Sequence, residues 1–334
     1  MEFKSTLEAI DSHTMGEPTR IIVDGMPEIL GETVAEKKQY LSEKLDYLRR
    51  ALMLEPRGHR NMFGAIILDT NKLDADFGIV FMDAGGYLNM CGHASIGAMT
   101  VAVEAGLVEK KEPVTTIKMD TPAGLVEGEV RVEGSKTKEV SLVNIPSFSY
   151  KRNIELDVPG IGRIKLDISF GGSFFAIVHA SELGLEVDLK NKDELIDCGL
   201  KIRKAINRTI EVEHPVLTHI NKVDLVEIYD KTDNPKADYK NVVIFGKGQI
   251  DRSPCGTGTC AKLANMYSKG NISIGEEFVY ESITGTLFKG RVMAETRVEG
   301  IDAVVPEITG QAFITGINKY VIDESDPLKY GVKI

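Results

Sequence analysis

One short pattern occurs twice in this chain and restricts its fold more than any other feature. Residues 91–106 read CGHASIGAMTVAVEAG, and residues 255–270 read CGTGTCAKLANMYSKG. Each run opens Cys-Gly and carries a hydroxyl at the fourth place after the cysteine, Ser95 or Thr259. Each closes, fifteen residues after its cysteine, on a glycine suited to a helix C-cap. A strand-like run and a turn precede each one: FGIVFMDAGGYLNM and NVVIFGKGQIDRSP. A strand follows each, then a glycine and a second glycine four or five residues on: Gly124 and Gly128 in DTPAGLVEGEV, Gly285 and Gly290 in ESITGTLFKGRV. The economical reading is two similar halves, each with one cysteine in the same place. From Ala94 to Val103 there is no charge, and apolar residues fall on every face, the mark of a helix buried all round. The second helix carries Lys262 and Lys269 and fits that description less cleanly.

The rest of the chain is mainly strand. RIIVDG, GAIILD, FGIVFMD, TIKMDT, EVSLVNI, FFAIVHA, VDLVEIY, NVVIFG and EFVYES are rich in Val, Ile and Phe, and Gly, Asp or Asn bound most of them. Helical spacing appears over 35–54, with Leu41, Leu45, Leu48 and Leu52 on one face, and again over 192–210. This is an α/β chain of the mixed, α+β kind, without the strand–helix alternation of a doubly wound sheet. Its 334 residues suffice for two domains, and the linker candidate is NIPSFSYKRN, 144–153. A net charge of −10, spread along the chain, argues against nucleic acid or an anionic membrane as partner. No run approaches the roughly 18 apolar residues of a membrane span, and MEFKSTLEAIDSH shows no basic-then-apolar leader. Four cysteines without the spacing of a secreted framework read as reduced thiols in a cytoplasmic protein.

The first turn of a helix presents unpaired N–H groups and a positive dipole end. A thiol there is shifted toward thiolate, and the same N–H groups bind a carboxylate. Gly92 and Gly256 admit a ligand close to the backbone. If both helix starts hold one amino acid by its carboxylate, Cys91 and Cys255 meet opposite faces of its α-carbon. One removes the α-proton and the other delivers a proton, inverting the centre. Three rival readings stand beside this one. A buried cysteine is commonly a small hydrophobe, which suits Cys198 and Cys260 but explains neither the glycines nor the duplication. A metal site of Cys91, His93, Cys255 and Cys260 lacks metal-ligand spacing. A thiol hydrolase pairing Cys91 with His93 leaves the second Cys-Gly helix idle.

MCGH (90–93) and DRSPCGTGT (251–259) resemble the two signature motifs of the proline racemase family. DSHTMGEPTR, EPRGH, FGGSFFAIVHA and a late DPL also look like family segments, so the resemblance spans nearly the whole chain. It implies a diaminopimelate epimerase-like fold of two pseudo-symmetric lobes, each a curved, mostly antiparallel sheet around a central helix. The expected lobes are 1–147 plus 316–334 with Cys91, and 148–315 with Cys255. It also implies racemisation of a small substrate, proline, by two cysteines without cofactor or metal, in a homodimer. Backbone N–H groups of Gly92, His93, Gly256 and Thr257 would hold the carboxylate, and His93 and Asp251 match positions near the substrate's ring nitrogen. Relatives that dehydrate 3-hydroxyproline carry Thr where this chain has Cys255. Phe63 and Phe245 match the aromatic pocket of members acting on unsubstituted proline, where a ring hydroxyl would lose its hydrogen bond. A 4-hydroxyproline 2-epimerase is the nearest alternative. Cys260 departs from the Ser or Thr usual in the family.

Overall fold

The computed structural model describes residues 5–333. They form two compact units, one reaching to Leu142 and resuming at Gly310, the other running Val143–Thr309. The lower-numbered unit begins with an antiparallel pair, β1 (Ser5–Thr14) and β2 (Glu17–Asp24). Next come α1 (Val34–Lys44) and α2 (Asp46–Met53). β3 (Phe63–Leu68) is parallel to β2, and β4 (Phe77–Asp83) folds back antiparallel on β3. A short return strand, β5 (Tyr87–Leu88), leads into α3 (Gly92–Glu104). β6 (Val114–Thr121) lies parallel to β4, and β7 (Gly124–Glu133) and β8 (Lys136–Val143) follow as antiparallel hairpins.

The second unit begins with β9 (Phe148–Val158), β10 (Gly162–Phe170) and β11 (Phe174–His179), all antiparallel neighbours. After α4 (Lys192–Thr209), β12 (Val223–Asp230) runs parallel to β11. β13 (Tyr239–Phe245) is antiparallel to β12, and β14 (Gln249–Asp251) returns along β13 into α5 (Gly256–Ser268). β15 (Glu277–Ser282) is parallel to β13, and β16 (Leu287–Val298) and β17 (Ile301–Gly310) are antiparallel hairpins. The chain ends with β18 (Ala312–Ile322), paired along all of β1.

Strand by strand, β1–β7 with α3 repeats as β10–β16 with α5, including the parallel steps. The sequence repeat is thus a repeat of topology. α3 is buried from Gly92 to Val103, among β1, β2, β3, β7 and β18. α5 is buried from Gly258 to Asn265, among β9, β10, β11 and β16. Burying each helix requires the flanking strand to come close, and glycine permits it. A Cβ at Gly128 of β7 would lie 2.5 Å from Met99 Sδ, and one at Gly290 of β16 would lie 2.9 Å from Leu263 Cδ1.

Two expectations need correction. The helix expected over 35–54 is broken at Leu45, whose dihedrals leave the helical region (φ −123°, ψ 12°) as it caps α1 and opens α2. Leu41, Leu45, Leu48 and Leu52 still enter one core, so the break forfeits no apolar burial. The linker expected over 144–153 is strand for its second half, because β9 starts at Phe148, and Ser147 already bridges Val304. Among the described residues no helix is long and apolar enough to cross a membrane.

Candidate active site

Each candidate cysteine is the residue that opens its unit's buried helix. Cys91 caps α3 from extended backbone (φ −149°, ψ 117°), and its carbonyl accepts from Ser95 N–H at 2.9 Å and Ser95 Oγ at 2.7 Å. Cys255 caps α5, and its carbonyl accepts from Thr259 N–H at 2.8 Å and Thr259 Oγ1 at 2.7 Å. The hydroxyl four places after each cysteine therefore has one job in both units. It adds a second hydrogen bond to the carbonyl that starts the helix and so fixes the cysteine backbone. Among the described residues no disulfide is present.

Around Cys91 the structure gathers three of the expected residues. The half-buried sulfur lies 3.3 Å from His93 Nδ1. The His93 ring meets Phe63 edge to face, 4.7 Å between centroids. The His93 carbonyl accepts a 2.7 Å bond from Thr14 Oγ1, which ties the first turn of α3 to the end of β1. Gly92 is the first residue of α3 and is buried.

Cys255 is held differently. It is 5% exposed and adopts φ 65°, a conformation that costs a residue other than glycine roughly 1–3 kcal/mol. A short relay holds it there. Cys255 N–H donates to Ser253 Oγ at 3.1 Å, and Ser253 N–H and Oγ both donate to Asp251 Oδ1, at 2.8 and 2.7 Å. The sulfur accepts from Gly258 N–H at 3.4 Å and lies 3.8 Å from Thr257 Oγ1. Gly256 and Thr257 form the first turn of α5. Phe245 ends β13 opposite Gln249, at the turn end of the hairpin whose return strand ends in Asp251.

The expected shift toward thiolate is reversed at Cys255. Burial and then the Asp251 charge push its thiol well above the usual range, outweighing the Gly258 N–H that favours thiolate. Water is lost from the sulfur at a site where the Gly258 N–H and the Thr257 hydroxyl are too little compensation. Asp251 is itself pushed up by burial, against the pull of its Ser253 hydrogen bonds.

Three positioning features escaped the sequence reading. Gly171 backs onto α5 so closely that a Cβ would lie 2.2 Å from the Thr257 carbonyl, which accounts for the first glycine of FGGSFF. Asn241 Nδ2 holds the carbonyl of Pro254 at 2.9 Å. Glu227 is fully buried behind α5, where no charge was expected. Cys260 is fully buried, and burial pushes its thiol up to about 12. Cys198 is a half-buried thiol on α4, and His214 packs against Phe148 and Phe170.

The family model described as proline racemase matches residues 9–333. The proline racemase of Acetoanaerobium sticklandii is 62% identical over 100% of both chains, and that of Clostridioides difficile is 60% identical over 99% of both. A crystal structure of a hydroxyproline epimerase from Agrobacterium vitis, with bound trans-4-hydroxy-L-proline, superposes with a TM-score of 0.89 at 32% identity. It covers 100% of this chain and 97% of its own. Two cysteines in topologically equivalent places, on a mixed α+β fold shared with that structure, and identity sustained from end to end have one explanation: the chain belongs to the proline racemase family and is an isomerase.

Proposed function

We propose that this protein is a proline racemase that interconverts L- and D-proline without a cofactor, using Cys91 and Cys255 as paired acid and base. The observation that carries the reading is the placement of both cysteines at the start of the buried helix in topologically matched units. Inversion at an α-carbon needs a proton removed from one face and another delivered to the opposite face. Cys255, resting as a thiol, is the donor in one direction, and Cys91 as thiolate is the acceptor. The reverse direction exchanges the roles, so the two titrate as a coupled pair. N–H groups at Gly92, His93, Gly256 and Thr257 hold the substrate carboxylate and stabilise charge as the carbanion forms. Asp251 faces the ring nitrogen. Phe63 and Phe245 give an apolar slot, which favours proline over its 4-hydroxy derivative because a ring hydroxyl there would lose its partner. The identity of 62% and 60% to two proline racemases supports the same choice of substrate. The enzyme is read as cytoplasmic from its cysteine usage, and as a homodimer on the family resemblance.

The 3.3 Å contact between Cys91 and His93 also suits a thiol hydrolase. Incubation with L-proline in deuterium oxide separates the readings. A racemase loses optical rotation and incorporates deuterium at the α-carbon, and 4-hydroxy-L-proline reacts at least about tenfold more slowly. Optical rotation that stays constant, with no α-deuterium in recovered proline, sinks the proposal.

A further inference from the structure

One buried charge has no place in the chemistry above. Glu227 lies in the middle of β12, opposite Ile177 of β11 and Val243 of β13, with no exposed surface. Its Oε1 accepts a 2.7 Å hydrogen bond from the Tyr280 hydroxyl on β15. Its Oε2 is buried with no hydrogen-bond partner. A carboxylate oxygen left in that state is costly and calls for a reason.

Gly258 supplies one. A Cβ at residue 258 would stand 2.8 Å from Glu227 Oε2 and 3.2 Å from Cys255 Sγ. Only the missing side chain allows the carboxylate and the sulfur to flank the same point. The two atoms are then within the roughly 4–6 Å over which a charge moves a neighbouring pKa. Behind burial and Asp251, the Glu227 charge acts in the same sense and raises the Cys255 thiol.

The surrounding groups leave Glu227 able to carry that charge. Burial pushes it up to about 7, with the Lys262 charge and the Tyr280 hydrogen bond pulling it back. Lys262 on α5 is buried, its ammonium 3.0 Å from the centre of the Tyr229 ring and 5.1 Å from that of Tyr239. Burial brings Lys262 down to about 7, against the pull of Glu227, with Lys269 and Asp167 as the further charges acting on it. The carboxylate is the form of Glu227 that bears on the Cys255 thiol.

We propose that Glu227 is a positioning residue that acts across the bare backbone of Gly258 to keep Cys255 in its thiol form, and so gives it the donor role in the resting enzyme. The proposal rests on Cys255 having the catalytic role inferred above.

The test is the pH dependence of Cys255 alkylation by iodoacetamide, read by peptide mass spectrometry on the full-length enzyme. Glu227→Gln keeps the Tyr280 hydrogen-bond acceptor and removes the charge. The Cys255 midpoint should fall, so that alkylation at a fixed pH below it runs severalfold faster. The midpoint of Cys198 stays unchanged. The alkaline limb of kcat should move the same way, while KM for proline holds. Should the single variant fail to fold, Glu227→Gln with Lys262→Met leaves neither partner as a lone buried charge, and the same fall is expected. An unchanged Cys255 midpoint in the folded variant overturns the proposal. Alkylation reports on the thiol whether or not it catalyses, so an active Cys255→Ser enzyme would remove the catalytic reading separately.

Discussion

In one unit the helix-opening cysteine leaves extended backbone, is half-buried, and has an imidazole nitrogen 3.3 Å from its sulfur. In the other it sits at φ 65°, is nearly inaccessible, and has the carboxylates of Asp251 and Glu227 as electrostatic neighbours. The strand order around the two is the same, and so is the hydroxyl on the carbonyl that starts each helix. What duplication preserved is the means of placing a sulfur at a helix start. What diverged is the surroundings of that sulfur. The two-cysteine exchange proposed above has one proton-loaded and one empty partner at any moment, and the unlike surroundings favour the loaded form at Cys255.

The largest test of the comparison replaces each sulfur by oxygen. Cys91→Ser and Cys255→Ser should each lower racemisation by about 10²–10⁴-fold, because a serine hydroxyl holds its proton at neutral pH. Polarimetry on L-proline reads the loss. A variant that keeps most of its activity would make the two halves functionally unequal and end the paired-base reading.

The next test concerns the close approach of strand to helix. Gly128→Ala drives a Cβ into Met99 and Leu142, and Gly290→Ala into Leu263 and Thr259. Each should cost about 1–3 kcal/mol in thermal or urea unfolding, with Gly128 the more sensitive of the two. Equal and negligible effects would show that the helices are not held as tightly as the structure requires.

The smallest effect belongs to the shared hydroxyl. Ser95→Ala and Thr259→Val each remove one hydrogen bond to a cysteine carbonyl and should each cost about 0.5–1.5 kcal/mol of stability. A matching pair of losses would confirm one role in both units, and a loss in only one would limit the parallel to backbone topology.

The strands read from the sequence were those with continuous apolar runs, such as FGIVFMD (β4) and NVVIFG (β13). Those missed include β7, GLVEGEVRVE, whose apolar residues alternate with charged or glycine positions. Half-buried strands carry half the hydrophobic signal, so they stand out less against loops. At the site, Cys91 was legible through its repeat, and its neighbours His93 and Phe63 through family motifs. Glu227 was invisible, since an acidic residue in a strand ordinarily faces water, and Gly171 was seen only as part of a motif, without its contact to α5.

By itself the sequence determined that a Cys-Gly helix start occurs twice in one setting and that the first of these helices is buried all round. Local spacing and side-chain type are enough for that, because a helix apolar on every face has one stable environment. The protonation of Cys255 was decided only by the tertiary structure. Burial and the charges of Asp251 and Glu227 act through space, across strands far apart in the chain, and they reverse what a helix N-terminus alone would dictate.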